Sequence, residues 1–548
     1  MVKSEPELKQ SLVSPLATQK VFLERRRIQG LHRLLKIPIL VIVLLVVGFN
    51  LICYFFVRLI IFCSENIFFL PSKRRKLLKQ SRQAKNYDEW KHYNLELDML
   101  EKNELWKTGS ESSYYSAGII KDGLQRLRDI LDSMKNPGLN EKPIDPDDIR
   151  FIEQLCIPNV GGLGNYHMYT NCRVGTKKVI HDYIDTIQKA VNSICKDEFL
   201  DKGFRLEFIE RIERSYGRTA LVLSGGATFG FYHLGVIKVL LEENLLPGTI
   251  SGTSVGALFA AFCCVQKEED ILTLITPGMH PLCMVFENWL IMLKNYYKHG
   301  SMRDNEDFRQ MAESFMRSSK PNITFKEAFH KTGKILNISC SVDGNKQHPA
   351  RQLNYITSPN CVISSAVVAS AAIPILLRPQ HLLYKDEDGN IHNYKNENFV
   401  WRDGSFKNDL PMKELGATFN ANNFIVSQVN PHIIPFFFWN TGSPGKPNTY
   451  SWRGGFILSY LEAYFKLEMK KWARLINQME LFPDLFGQDI TEIFLQETFG
   501  EVTIAPAPNI MNYFQFFRNV NYKRLQNYIQ SGASYTWPNM SLIQNTFR

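Results

Sequence analysis

A short apolar run, residues 219–224, and the segment Thr249-Ile250-Ser251 each lead straight into a glycine-bearing turn and then into a stretch that favours helix. A strand that is apolar along its whole length is buried on both faces, the condition inside a parallel sheet covered by helices. Two such strand–turn–helix units in succession predict an α/β fold with a central, mostly parallel sheet. The turns are Gly225-Gly226-Ala227-Thr228-Phe229-Gly230 and Gly252-Thr253-Ser254-Val255-Gly256, with helices expected over 231–243 and 257–265. Residues 335–342, 399–401 and 424–429 are further strand candidates.

Upstream, residues 86–136 and 176–196 carry apolar side chains at helical spacing, so the chain up to residue 215 reads as a helical region. A turn-rich joint covers 137–148. Gly161-Gly162-Leu163-Gly164 has neither a strand before it nor a Lys-Ser/Thr pair after it, and reads as a plain turn rather than a phosphate cradle.

The net charge of +10 is concentrated at one end. Residues 1–85 hold 16 Lys/Arg and 4 Asp/Glu, whereas the rest of the chain holds 48 and 50. A nucleic-acid enzyme spreads its basic residues over a groove of the folded domain, so this distribution argues against that class. Here they bracket an apolar run. From Ile37 to Val57 the one clearly polar side chain is Asn50; Arg58 interrupts, and 59–63 resumes the run. Arg25, Arg26, Arg27, Arg33 and Lys36 precede it, and Lys73, Arg74, Arg75, Lys76, Lys79, Arg82 and Lys85 follow. A straight helix over 37–63 would reach about 40 Å, against a hydrocarbon core of roughly 30 Å. Positive residues stay cytoplasmic, and both flanks carry them. The pattern therefore favours a hairpin turning near Gly48-Phe49-Asn50 over a single tilted span.

Ten cysteines without Cys-x-x-Cys or Cys/His ligand spacing point away from a disulfide scaffold and a structural zinc site. A reduced, cytosol-facing compartment fits them best.

The Gly252-Thr253-Ser254-Val255-Gly256 turn is a G-x-S-x-G sequence, which between strand and helix presents its serine as a nucleophile. Gly252 and Gly256 are needed because so sharp a turn leaves no room for side chains. The following helix N-terminus favours a developing anion. The turn beginning Gly225-Gly226-Ala227 can aim backbone N–H groups at an oxyanion. Trp401-Arg402-Asp403-Gly404-Ser405 offers Asp403 as a base just after a strand candidate, while Asp409, beside Leu410-Pro411, reads as a loop end.

Together these three segments resemble the patatin-like lipid acyl hydrolases, as does Ala369-Ser370-Ala371-Ala372-Ile373-Pro374. The resemblance implies a three-layer fold in which Ser254 is the nucleophile and Asp403 the base, without histidine. It also implies an oxyanion hole from the Gly225, Gly226 and Ala227 backbone. Ala227 and Phe229 stand where many such enzymes carry a third glycine and a basic residue. That variant, with Tyr87-Asp88-Glu89-Trp90, Asn159–Asn165, Asn430-Pro431-His432 and Trp537-Pro538, is similar to the fungal and plant triacylglycerol lipases of lipid droplets, which carry a helical domain ahead of the catalytic one.

Two other arrangements remain open. His432 completes a Ser254, Asp403, His432 triad in α/β-hydrolase order, and His381 with Asp386 has the H-x4-D spacing of glycerolipid acyltransferases. A catalytically silent lipid-surface scaffold is a third class, although Ser254 and Asp403 are both intact. The expected organisation is a basic tail (1–36), a membrane-embedded segment (37–63), a helical domain (64–215), a catalytic domain (216–430) and a helical, apolar C-terminal region (431–548). Residues 433–439, 513–517 and helix 455–478 are candidates for contact with lipid. The expected activity is hydrolysis of triacylglycerol at a lipid-droplet or endoplasmic-reticulum surface facing the cytosol, with neutral lipid and membrane as partners, no nucleic acid, and neither metal nor organic cofactor.

Overall fold

In a computed structural model the described residues are 15–63, 72–135, 144–197, 200–275, 289–317, 320–343, 350–393, 399–433, 444–445, 455–479, 481, 496–506, 512–513, 515–516 and 518–547. The first element, α1 (Pro15–Cys63), corrects the hairpin expectation: it is one unbroken helix, and Gly48, Phe49 and Asn50 lie inside it. A turn in so apolar a stretch would strip several backbone groups of their partners, whereas a helix satisfies them internally. Its Lys36–Ile61 stretch is long and apolar enough to cross a membrane.

Six helices follow: α2 (Ser72–Gln83), α3 (Tyr87–Leu100), α4 (Asn103–Thr108), α5 (Ala117–Lys135), α6 (Pro146–Leu155) and α7 (Lys178–Lys196). Asn86 caps α3 by accepting from the Glu89 amide, and Asp145 caps α6 with Pro146 in its first turn. Gly161 and Gly162 sit in a left-handed turn, Gly161 against Ile120 and Gly162 against Tyr114 and Tyr115. After α8 (Lys202–Tyr216) the sheet begins.

The strands and helices of the α/β part are β1 (Arg218–Leu223), α9 (Tyr232–Glu242), β2 (Thr249–Thr253), α10 (Val255–Val265), α11 (Glu268–Leu274), α12 (Trp289–His299), α13 (Asn305–Met316), α14 (Phe325–Thr332), β3 (Ile335–Val342), β4 (Arg351–Leu353), α15 (Ile363–Ser370), β5 (Leu383–Lys385), β6 (Ile391–Asn393), β7 (Trp401–Asp403), α16 (Met412–Phe419) and β8 (Ala421–Ser427). The last described elements are α17 (Gly455–Gln478), β9 (Val502–Ile504), α18 (Tyr522–Thr536) and α19 (Met540–Phe547). The central sheet runs β4-β3-β2-β1-β8-β9, parallel from β3 through β9, with β4 and β7 antiparallel to β3. Burial explains the parallel part: β2 and β3 are buried along their whole length.

The described residues after 431 do not form a unit apart from the sheet. β9 extends the sheet beyond β8, pairing Ile425 with Val502 and Ser427 with Ile504. α18 packs on α9 so closely that a Cβ on Gly235 would lie 2.1 Å from the Ile529 carbonyl. Neither strand-edge pairing nor helix docking leaves a periodic trace in the sequence, so the segment looked merely helical and apolar. One buried core runs from Trp90 and Ile120 of the N-terminal helices through Phe259 of α10 to Trp537 and Ile543. α17 packs on α1 through Ile476 and Trp472 against Val43 and Leu40. Of the segments considered for lipid contact, 434–439, Phe514 and Phe517 lie outside the described residues, as does most of the 137–148 joint.

Candidate active site

Strand β3 brings the chemistry together. Cys340 pairs with both Arg351 of β4 and Asp403 of β7, so those two strands occupy opposite edges of β3. β4 faces away from β2; β7 therefore lies on the β2 edge, beyond the point where β2 ends. Thr253, the last residue of β2, pairs with Ser339, and Asp403 pairs with the next residue along. β2 and β7 thus arrive from opposite directions, and Ser254 and Asp403 meet at the junction. Gly404 permits this approach, because a Cβ there would lie 2.3 Å from the Ser339 carbonyl.

Ser254 has φ 55 and ψ −125, a conformation that costs a non-glycine residue about 1–3 kcal/mol and persists where its surroundings enforce it. The enforcement is visible. A Cβ on Gly252 would sit 2.2 Å from the Gly256 carbonyl, and one on Gly256 would sit 2.3 Å from the Leu223 carbonyl. The Ser254 amide donates to Ser370 Oγ at 2.9 Å, and Ser370 Oγ donates in turn to the Ser339 carbonyl at 2.7 Å. The side chain stands at the N-terminus of α10 and borders a cavity whose walls include Ala227, Thr228, Phe231, Phe308, Ile373 and Leu376. No charged residue is among its described lining.

Asp403 is fully buried, and burial pushes its carboxyl up to about 6 against the opposing pull of Ser405 and of the Ser254 hydroxyl. Oδ1 accepts the Ser405 amide at 2.7 Å. Oδ2 is buried with no donor in good alignment, so the Ser254 hydroxyl lies within the carboxyl's influence without a well-aligned bond. Loose geometry of this kind is usual before substrate binds.

The glycine turn is arranged differently from expectation. Gly225 lies beside Ser254, as its virtual Cβ contact of 3.4 Å shows, but its N–H donates to Asp409 Oδ1 at 2.8 Å. It is therefore not available to an oxyanion in this arrangement. The Gly226 and Ala227 amides make no other bond among the described residues. Gly226 has φ 155 and could hold no side chain, since a Cβ would meet the Val429 carbonyl at 2.6 Å; Ala227 has φ 44. Asp409, expected as a loop end, is a buried carboxyl that holds the turn. Its Oδ2 accepts from Asn430 Nδ2 at 2.6 Å, and its carbonyl accepts from Thr253 Oγ1 at 2.8 Å. Burial pushes it up to about 7, Asp403 adding to the rise. Ser370 was likewise missed as a site residue. It lies in the Ala369–Pro374 run, but no local pattern says which backbone amide a serine will meet.

The histidine alternatives are not assembled. Neither Ser254 nor Asp403 bonds His432, which burial pushes down to about 4. His233, similarly depressed, binds Ser427 Oγ and the Ser224 carbonyl. His381 Nδ1 meets the Phe399 carbonyl, while Asp386 pairs with His392 across the β5–β6 hairpin rather than with His381.

A serine turn at the carboxyl end of a parallel strand, a buried carboxyl beside it and a glycine turn with uncommitted amides constitute the layout of an α/β acyl hydrolase. Residues 221–415 match the family model for patatin-like phospholipase, and residues 68–214 match the one described as Domain of unknown function (DUF3336). A patatin-like phospholipase domain-containing protein of Pyricularia oryzae (strain 70-15) is 36% identical over 536 residues, 94% of this chain and 67% of that protein. A relative of the same description in Aspergillus fumigatus is 36% identical over 533 residues, 94% of this chain and 74% of its own. The chain belongs to the patatin-like phospholipase family, with the DUF3336 domain ahead of the patatin domain, and this makes it a lipid acyl hydrolase. An alignment with the solved structure of VipD from Legionella pneumophila covers 58% of this chain and 67% of that one, at 14% identity and a TM-score of 0.26, too low to add to the argument.

Proposed function

We propose that this protein hydrolyses fatty-acyl esters of triacylglycerol at a lipid-droplet surface through a Ser254–Asp403 dyad. The observation that carries the dyad is the β3 register, which sets a buried carboxyl with a raised pKa next to a serine in a strained turn. In the proposed cycle Asp403 takes the proton of Ser254 as Oγ attacks the ester carbonyl. The amides of Gly226 and Ala227, with the α10 N-terminus, receive the oxyanion. As the tetrahedral intermediate collapses, Asp403 returns the proton to the departing alkoxide, and diacylglycerol leaves. Water then gives a proton to Asp403 while attacking the acyl-enzyme, and the fatty acid departs as Ser254 is reprotonated. A base poised near 6 suits both directions of transfer.

The choice of neutral lipid is supported by the cavity, whose described lining is apolar apart from Ser254 and Thr228 and offers no cation for a phosphate. It is supported also by α1 and α17. Ile42, Leu45 and Ile52 of α1 are exposed, as are Ile457, Tyr460 and Leu467 of α17, and the two helices pack together. We propose that they hold the enzyme on the lipid-droplet or endoplasmic-reticulum surface with its catalytic part in the cytosol. Purified wild type, Ser254→Ala and Asp403→Asn assayed on emulsified triacylglycerol, diacylglycerol, steryl ester and phospholipid test the reading. Release of fatty acid from triacylglycerol that both substitutions abolish supports it. Preference for phospholipid would replace the substrate, and activity surviving Ser254→Ala would remove the mechanism.

A further inference from the structure

Among the polar side chains around the Ser254 cavity, one has no place in the arrangement described so far. Thr228 follows Ala227 in the 3-10 turn Ala227–Phe231, lines the cavity and is 2% exposed. Its Oγ1 is buried and has no hydrogen-bond partner among the described residues. The other described lining residues, Ser254 apart, carry apolar side chains. An unpaired hydroxyl in such surroundings weakens the folded state, because it has lost water and gained nothing in return. Valine, nearly the same shape, would fill the site without that penalty. Buried polar groups left unsatisfied are rare enough in native proteins to need a reason, and a bound substrate is one.

An ester brings two oxygens that accept hydrogen bonds and no donor, so it complements a lone hydroxyl at the wall of an apolar cavity. Thr228 also adjoins, in sequence, the two amides that make no other bond. We propose that Thr228 is a substrate-contacting catalytic residue whose hydroxyl donates to the ester carbonyl oxygen as that atom becomes an oxyanion, alongside the Gly226 and Ala227 amides. The inference rests on the reading of Ser254 as nucleophile. It adds a side-chain donor to an oxyanion site otherwise made of backbone.

The test uses the full chain in detergent and a soluble p-nitrophenyl butyrate substrate, with thermal unfolding measured in parallel. Thr228→Val should lower kcat by about 100-fold with KM little changed, since a donor used chiefly in the transition state acts on kcat. Its melting temperature should equal or exceed that of the wild type. Thr228→Ser, which keeps the hydroxyl, should recover activity to within about tenfold. Thr228→Ala provides a second variant without the hydroxyl should the valine form not fold. A valine or alanine variant within threefold of wild-type kcat overturns the proposal, as does a folded serine variant no better than valine. Ser254→Ala is run beside them. If it retains wild-type turnover, the nucleophile reading itself has failed, which is a different result from Thr228→Val alone being silent.

Discussion

The amide of Ser254 is held by the hydroxyl of Ser370, 2.9 Å away, and that hydroxyl is itself tied to the Ser339 carbonyl of β3. One side chain thus links the strained turn to β3, the strand on which β7 sets Asp403 through its pairing with Cys340. Ser370→Ala leaves the Ser254 N–H and the Ser339 carbonyl without this buried link. The variant should lose about 1–3 kcal/mol of stability in urea unfolding. It should also lose activity on a soluble ester beyond what its folded fraction accounts for. Wild-type values in both measurements would show that the turn holds itself.

The two glycines of the serine turn respond to sterics rather than chemistry. Gly252→Ala and Gly256→Ala each place a methyl group 2.2–2.3 Å from a backbone carbonyl. Backbone cannot yield as a flexible side chain can, so both variants should fail to give a cooperative melting transition or should melt far below the wild type. An active Gly256→Ala enzyme with a native melting temperature would contradict the close approach of α10 to β1.

Asp409 separates support of the glycine turn from proton transfer. Asp409→Leu strands the Gly225 amide and the Asn430 side chain in the interior, at about 1–3 kcal/mol for each unpaired donor. Asp409→Asn keeps an acceptor for Gly225 if the Asn430 amide turns over. Chemical denaturation and kcat should both rank wild type, Asn, Leu in that order. An Asn variant as inactive as Asp403→Asn would make Asp409 a participant in proton transfer instead.

Acid dependence should have opposite signs for activity and stability. Burial raises Asp403 from 3.8 to about 6 and Asp409 from 3.8 to about 7. Each binds its proton more readily folded than unfolded. Their contribution to stability is therefore fully present below about pH 3.8 and is lost as pH rises through 6 and 7. Hydrolysis needs the ionised base, so kcat/KM on a soluble ester should climb with an apparent pKa near 6. His233 and His432, both pushed down to about 4, do not titrate in that window. A pH–rate profile flat from 5 to 8 would count against Asp403 as the base.

The sequence by itself determined what local physics controls. The apolar run in 219–224, followed by a glycine turn and a helix and then by a second such unit from 249, pointed to parallel strands, and small residues around Ser254 pointed to a strand-to-helix turn. The basic brackets around 37–63 marked an apolar helix, although positive residues on both flanks suggested a hairpin where backbone hydrogen bonding keeps one continuous rod. Tertiary structure decided the rest, because it depends on pairings between residues far apart in the chain. The register of β3 sets Asp403 beside Ser254, and the 2.8 Å bond from Gly225 to Asp409 turns one expected oxyanion amide away while leaving its two successors uncommitted. It also made β9 part of the sheet and left the Thr228 hydroxyl buried beside an apolar cavity with no hydrogen-bond partner among the described residues. Residue type says which hydrogen bonds a side chain can form, and only packing says which of them it does form.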